Sequence, residues 1–455
     1  MPNKPRPHEL PPVPNVSAEL REAVEHDYQR FPGSQAGAWE PGPPDSLETY
    51  VSEQYGLDVA SEYAGCELRN PWGKASGQLS MTARQVAEDV EAGLGFVVLK
   101  TVIALDDTGS QSMKAWAIKE SRMLAEPIVG RSGQSGWTIS WKGRGWWQTF
   151  EEYLELIRQA QQMACGTGTL IVPSCKYHLP TPDEGFWKVE EYEFTTPRIL
   201  EAWREQTEHS TAPMPLEKDF SPTLAGSGRS TQQAQILEWL RTVPVLVRKS
   251  VSSAEDPDSS NAATPAQPDS PSPLRLGLKI FNALFDDEFQ LEMLRAIHRP
   301  GSGRPDFYIY GNRLFDPDRE FDGHQGIAYG GPDLSDRNLR VMTQFQHAAE
   351  QGSVSAPLLP WSATGDITTG KMALEYALRG AGSFQLHTFF QLPTDQYHMT
   401  LGSKTQKALH ELYFHPQTGF VIWMRHLAAA LNLPTEPIRF RDVIGKGLLL
   451  RRVDR

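Results

Sequence analysis

Short apolar runs that alternate with amphipathic helical patterns limit what this chain can fold into more than any other feature of its sequence. The runs GFVVLKTV (95–102), TLIVPS (169–174), RLGLKIF (275–281), DFYIYG (306–311), APLLPWSA (356–363) and GSFQLHTF (382–389) have the length and composition of buried strands. Between them stand segments whose apolar residues recur at helical spacing: 82–91, TFEEYLELIRQAQQMA (149–164), FTTPRILEAWREQ (194–206), DDEFQLEMLRAI and KMALEYALRG (371–380). Such alternation builds βαβ units, and these make a parallel sheet covered by helices. Periodicity leaves two closures open, a (β/α)8 barrel and an open doubly wound sheet. With 455 residues, 39% of them hydrophobic, the chain can bury one large core. A barrel of about 250 residues or more is commonly one domain.

Extensions flank that core. Residues 1–55, rich in Pro, Gly and acidic side chains, read as a partly disordered N-terminal extension holding one short helix over 17–29, capped by Ser17. Residues 250–273 carry no aromatic and a single β-branched aliphatic residue. They cannot offset the entropy of ordering, so a disordered insertion is expected there, inside a barrel spanning 56–400 and followed by a helical segment over 401–455. A net charge of -12 and a pI near 5.5 argue against a nucleic-acid partner and leave a small-molecule substrate as the better fit. The cysteines Cys66, Cys165 and Cys175 lack C-x-x-C spacing, so no disulfide framework, metal site or iron–sulfur cluster is expected, and a cytoplasmic location follows. No run approaches the roughly 18 apolar residues of a membrane span. Oligomeric state stays open, a homodimer included.

Three segments choose between the two closures. LRNPWGKASG (68–77), GFVVLKTV and GDITTGKMALEYALRGAGSFQLHT (365–388) together resemble the dihydroorotate dehydrogenase family, including the related domain of dihydropyrimidine dehydrogenase. The likeness runs in collinear order over about 55–395. It implies a (β/α)8 TIM barrel that binds FMN and acts on a carbon–carbon bond. On that resemblance Ala75, Ser76 and Gly77 lie against the flavin, where small residues let a flat ring approach the backbone. Lys100 lies beside flavin and substrate, and Lys279 lies near the ring atoms that become anionic on reduction. Lys249 in VPVLVRKS is the rival to Lys279, but only Lys279 is followed at once by a helix. Gly330 and Gly331, Gly365, and Thr388 take the phosphate end. Each has a bland alternative: a strand-to-helix turn for 75–77, a snorkelling strand-end lysine for Lys100.

The resemblance also implies a Ser or Cys base after the fourth strand. Cys175 in PSCKYH is one candidate, but counting strands puts TLIVPS third. LEKDFSPTLAG (216–226) then carries the base as Ser221, with Asp219 as a proton relay and an ordinary Ser-Pro turn as the alternative. Where the family reads its substrate through asparagines, this chain has Lys218, Thr223 and Tyr308, and the loop SGWTISWKGRGWW (135–147) carries aromatic and basic residues. Dihydroorotate is therefore not expected as substrate, since unpaired amide edges cost orders of magnitude in specificity. Asp366 and His387 stand at the phosphate end, where the family has glycines. Two readings follow: an FMN-dependent oxidoreductase acting on another substrate, or a degenerate, flavin-free barrel with a binding or structural role.

Overall fold

Capping signals written into the sequence start several helices where the alternation needs them. Thr82 and Gln85 form a reciprocal capping box that opens α1 (Ala83–Glu91), and Thr149 and Glu152 form another that opens α2 (Phe150–Ala164). The computed structural model describes residues 7–30, 46–117, 119, 122–142, 145–181, 183–205, 212–220, 232–252, 272–282, 285–321, 323–434 and 437–453. Within them the remaining wall helices are α3 (Val189–Arg204), α4 (Gln233–Ser252), α5 (Asp287–His298), α6 (Pro332–Glu350), α7 (Gly370–Leu378) and α8 (Lys404–Phe414). The strands are β1 (Trp72–Lys74), β2 (Phe96–Val98 and Val102–Ile103), β3 (Leu170–Val172 and Ser174–Lys176), β4 (Met214–Asp219), β5 (Leu274–Ile280), β6 (Phe307–Tyr310), β7 (Trp361–Thr364) and β8 (Ala381–Leu386).

Every pairing along β1 to β8 is parallel. The ladder closes on itself: β8 pairs with β1 through Gln385 and Gly73, while both halves of β2 pair with the two halves of β3. The fold is a (β/α)8 barrel, the closure that the alternation left open and the resemblance led us to expect. The 356–363 run becomes strand only from Trp361. Two departures matter. The apolar run ending at Lys249 is part of α4, where Trp239, Leu240, Val243, Val247 and Val251 are buried on one helical face. The insertion expected over 250–273 thus begins inside a helix, with Ser250 and Val251 buried, while 253–271 lie outside the described residues.

The interior of the barrel is layered. At the N-terminal end, Phe96 lies over Gly73 of the neighbouring strand and Phe307 over Gly277; a Cβ on either glycine would stand within 2.3 Å of the ring. The hairpin Ser61–Tyr63/Cys66–Leu68 seals this floor, packing Tyr63, Ala64 and Leu68 on Phe96, Val98, Val172, Phe307 and Ile309. Two longer hairpins belong to the opposite end. Arg122–Val129 pairs with Ser135–Lys142 in the β2–α2 connection, and Leu314–Phe321 with His324–Tyr329 in the β6–α6 connection. The segment read from sequence as a tryptophan-bearing loop is therefore half of a hairpin. In the N-terminal region, Ala18–Arg30 forms the expected helix, joined by an unforeseen one at Leu47–Tyr55. Residues 7–11 are tied down: the backbone N–H groups of Glu9 and Leu10 donate to Glu375, and Lys371 donates to the Pro11 carbonyl.

Candidate active site at the barrel mouth

Side chains at the C-terminal ends of barrel strands converge on one axis, which makes that end the place to look for chemistry. A cavity there is lined by Ala75, Ser76, Gly77, Lys100, Gly330, Gly365 and Thr388, seven positions singled out from the sequence. They come from the ends of β1, β2, β7 and β8 and from the start of α6. Lys279 sits one layer deeper and donates to Gln385 Oε1 at 3.0 Å, and Gln385 lines the cavity. Gly331 opens α6 with φ of 96°, a conformation glycine adopts freely; a Cβ there would meet Ile128 Cγ2 at 2.6 Å. Ser221 and Thr223 lie outside the described residues.

Below the cavity the barrel holds a buried polar layer. Gln385 Nε2 donates to Glu217 and, at 3.2 Å, to the Tyr63 hydroxyl, which itself donates to Glu217. Glu217 lies 4.0 Å from Lys279, and burial pushes its carboxyl up despite that cation. Nearer the mouth, Asp219 approaches Lys176 at 4.0 Å. A chain of hydroxyls joins β1, β2 and β3, from Ser76 to Thr101 at 2.8 Å and on to Ser174 at 2.9 Å.

Electrostatics around the cavity are dominated by cations. Burial lowers Lys100 to about 8, with Asp219 acting to raise it and Lys279 to lower it further. Arg313, two positions past the expected 306–311 strand run, lines the cavity and donates to the Ile139 carbonyl at 2.8 Å; burial brings it down to about 9. His387 is held well below its ordinary value, first by burial and then by Arg313, Lys100, Lys74 and Lys279. The four cations gathered around this buried imidazole make the local field positive, and such a field favours an anion.

Two features narrow the cavity. The His387 ring lies on Gly77, where a Cβ would stand 2.2 Å from its Nε2. Asp366, at φ 55°, accepts a hydrogen bond from Ser335 Oγ at 2.8 Å on the first turn of α6, and burial raises its carboxyl to about 7. The Gly330 N–H, a phosphate donor on the family resemblance, already meets Thr138 Oγ1 at 2.9 Å. The cavity has a volume of about 80 Å3, against ~300 Å3 or more for sites that bury a drug-sized ligand.

Two sequence expectations need correction, and one candidate already set aside in favour of Ser221 stays excluded. Tyr308 does not reach the mouth: it packs edge-on to His298 and stacks on Trp361 in the outer core, because Phe307 and Ile309 take the inward positions of β6. Lys218 folds back on its own strand, donating to the Asp219 carbonyl at 3.0 Å beside the Phe220 ring. Cys175 is buried in β3 and its thiol is pushed up to about 12, so it is no nucleophile at neutral pH. Sequence reasoning missed Arg313, just past one recognised strand run, and Gln385, inside another. It also passed over Glu217, hidden one residue before Lys218.

A search of solved structures finds a similar fold in the crystal structure of DHODH from Eimeria tenella in complex with ferulenol. The TM-score is 0.53 at 12% sequence identity, over 96% of this chain and 96% of that one. No protein-family model and no curated protein matches the sequence. The likeness defines a DHODH-like barrel fold. No helix among the described residues is long and apolar enough to cross a membrane.

Proposed function

We propose that this protein is an FMN-dependent oxidoreductase that adds or removes hydrogen across a carbon–carbon bond of a small substrate other than dihydroorotate. The observation that carries this reading is the electropositive, small-walled cavity at the barrel mouth, where Ala75, Ser76 and Gly77 face Lys100 and Arg313. A bound flavin supplies hydride transfer there. The donor set fits such a cofactor: small residues for a flat ring, buried cations for anionic charge on ring and phosphate. At about 80 Å3 the cavity is smaller than such a cofactor needs, and the His387 ring on Gly77 takes part of the space a flat ring would fill.

In this reading Lys100, and Lys279 through Gln385, hold negative charge near the ring. Arg313 and the backbone of Gly331, Gly365 and Thr388 hold the phosphate end, and Gly330 joins them only if its N–H leaves Thr138. Ser221 moves the proton on the strength of the family resemblance, and Asp219, two residues earlier in the sequence at the end of β4, is the acid that relays it. The absorbance spectrum of the purified protein, followed by titration with FMN, tests the reading. Stoichiometric flavin, retained or taken up, supports it, and a colourless protein that takes up none overturns it.

The imidazole seated on Gly77 and the acid at the start of α6 favour a second reading, a flavin-free barrel with a binding or structural role. The same titration separates the two.

A further inference from the structure

The polar layer beneath the mouth contains a fully buried carboxyl, Glu217, that the proposed chemistry does not use. Its Oε1 accepts hydrogen bonds from the Tyr63 hydroxyl and from Gln385 Nε2. Its Oε2 takes no hydrogen bond from any described group and stands 4.0 Å from Lys279 Nζ. The titratable groups that face this carboxyl are Lys279 on β5, Asp219 on its own strand, Tyr63 on the floor hairpin and Tyr153 on α2.

Glu217 decides which way Gln385 points. Nε2 of that amide donates to the carboxyl and, at 3.2 Å, to the Tyr63 hydroxyl, which leaves Oε1 to accept from Lys279 at 3.0 Å. Turned over, the amide would set its oxygen against a carboxylate and its NH2 against an ammonium. Gln385 lines the mouth cavity and Glu217 does not. The carboxyl therefore acts on the mouth through the amide and the lysine.

Charge follows the same path. Ionised, Glu217 offsets the Lys279 ammonium; protonated, it leaves that cation to act on the mouth alone. Burial raises the carboxyl, against the pull of Lys279 and of the hydrogen bonds from Tyr63 and Gln385. Negative charge arriving on a bound ring disfavours the ionised form, and by linkage the ionised form disfavours that charge equally.

We propose that Glu217 is a positioning residue for the mouth: it fixes Gln385 and Lys279 beside the cavity and, by gaining or losing a solvent proton, sets how strongly they stabilise negative charge there. The inference rests on the flavin reading. Only a solvent proton is exchanged at Glu217, and no bond to substrate forms.

The reduction potential of the FMN-loaded full chain, measured from pH 5 to pH 9 in wild type and Glu217→Gln, tests this. Glutamine keeps an acceptor for Tyr63 and Gln385 but cannot ionise. The two curves should coincide at the acid end and separate as pH rises. There the variant should favour reduced over oxidised flavin by a further factor of about ten, about 30 mV for a two-electron couple. A role confined to packing shifts the curve equally at every pH. Tyr63→Phe removes a hydrogen bond that favours the ionised form, so it should raise the potential only in the window where the wild-type carboxyl is ionised and the variant's is not. Because this variant leaves the carboxyl in place, it serves where Glu217→Gln fails to fold. Curves that coincide or run parallel throughout, or a Glu217→Gln curve below wild type, overturn this inference alone. A chain that takes up no FMN overturns the flavin reading and this inference with it.

Discussion

The two ends of this barrel are built from the same strands by opposite chemistry. At the floor, Phe96, Phe307 and Ile309 fill the interior. At the mouth, Lys100, Arg313, His387 and Asp366 crowd a cavity of about 80 Å3, and Glu217, Lys279 and Gln385 form a polar layer between the ends. The difference teaches how one fold separates stability from chemistry. Apolar burial at the floor stabilises the barrel, which lets the mouth hold buried charges that burial alone disfavours.

The largest expected effect breaks the floor and spares the mouth. Phe307→Ala removes a ring that lies over Gly277 and packs with Tyr63 at 5.0 Å. It should lower unfolding stability by about 3–5 kcal/mol in urea while leaving flavin uptake per folded molecule unchanged. Parallel loss of both would mean that the two ends are not separable.

A smaller effect comes from the mouth. Asp366 holds its proton up to about pH 7 when folded, against the ordinary 3.8. The folded state therefore binds a proton that the unfolded chain releases across that window, and stability falls as pH rises through it. Asp366→Asn removes the loss and suits the positive φ, where Asn is among the residues best tolerated. We expect the variant to match the wild type below about pH 4 and to exceed it by on the order of 2 kcal/mol at pH 8. Urea unfolding at the two pH values measures this, and an equal difference at both would show that Asp366 does not titrate as described.

How much of this contrast was legible in the sequence depends on parity and period. The strand runs stood out because their apolar residues are short, continuous and followed by helical spacing, and Lys100 and Lys279, within two of those runs, were picked out by the family resemblance. Which face a residue takes was not legible in an all-apolar run: FYIY gives no alternation, so Tyr308 was read as inward when Phe307 and Ile309 are. The hairpin strand Ser135–Lys142 does alternate, with Trp137 and Ile139 two apart, but its partner contains Pro127 and reads poorly as a strand. Helix α6 was missed although Pro332 opens it and Leu334, Leu339, Val341, Met342 and Phe345 are buried along one side. Its polar composition hid the period. Asp366 and His387 were recognised as departures, but only their three-dimensional placement shows one on the first turn of α6 and the other on Gly77.

Next in size is the cation at the mouth. Lys100→Met should weaken FMN binding about tenfold, near 1.4 kcal/mol, because a buried ammonium facing an anion is lost. In the wild-type chain the same affinity should fall as pH rises through about 8, where Lys100 gives up its proton. Flavin fluorescence titrations between pH 6 and pH 9 measure both. An affinity that rises with pH would assign the anion to another group.

The smallest effect sharpens the comparison most. The imidazole of His387 must leave Gly77 before a flat ring can lie there, and moving a packed side chain between rotamers costs about 1 kcal/mol. A binding-competent state that is only partly populated lowers apparent affinity by that population. His387→Gly removes the obstacle, so FMN affinity should rise about 3- to 10-fold with unfolding stability changed by no more than about 1 kcal/mol. Because burial, and then four cations, hold the ring neutral, its removal takes no positive charge from the site at pH 7. A fall in affinity would therefore identify His387 as a contact to the ligand rather than a stopper, and the mouth would then be a site that closes on its occupant instead of one that fills itself.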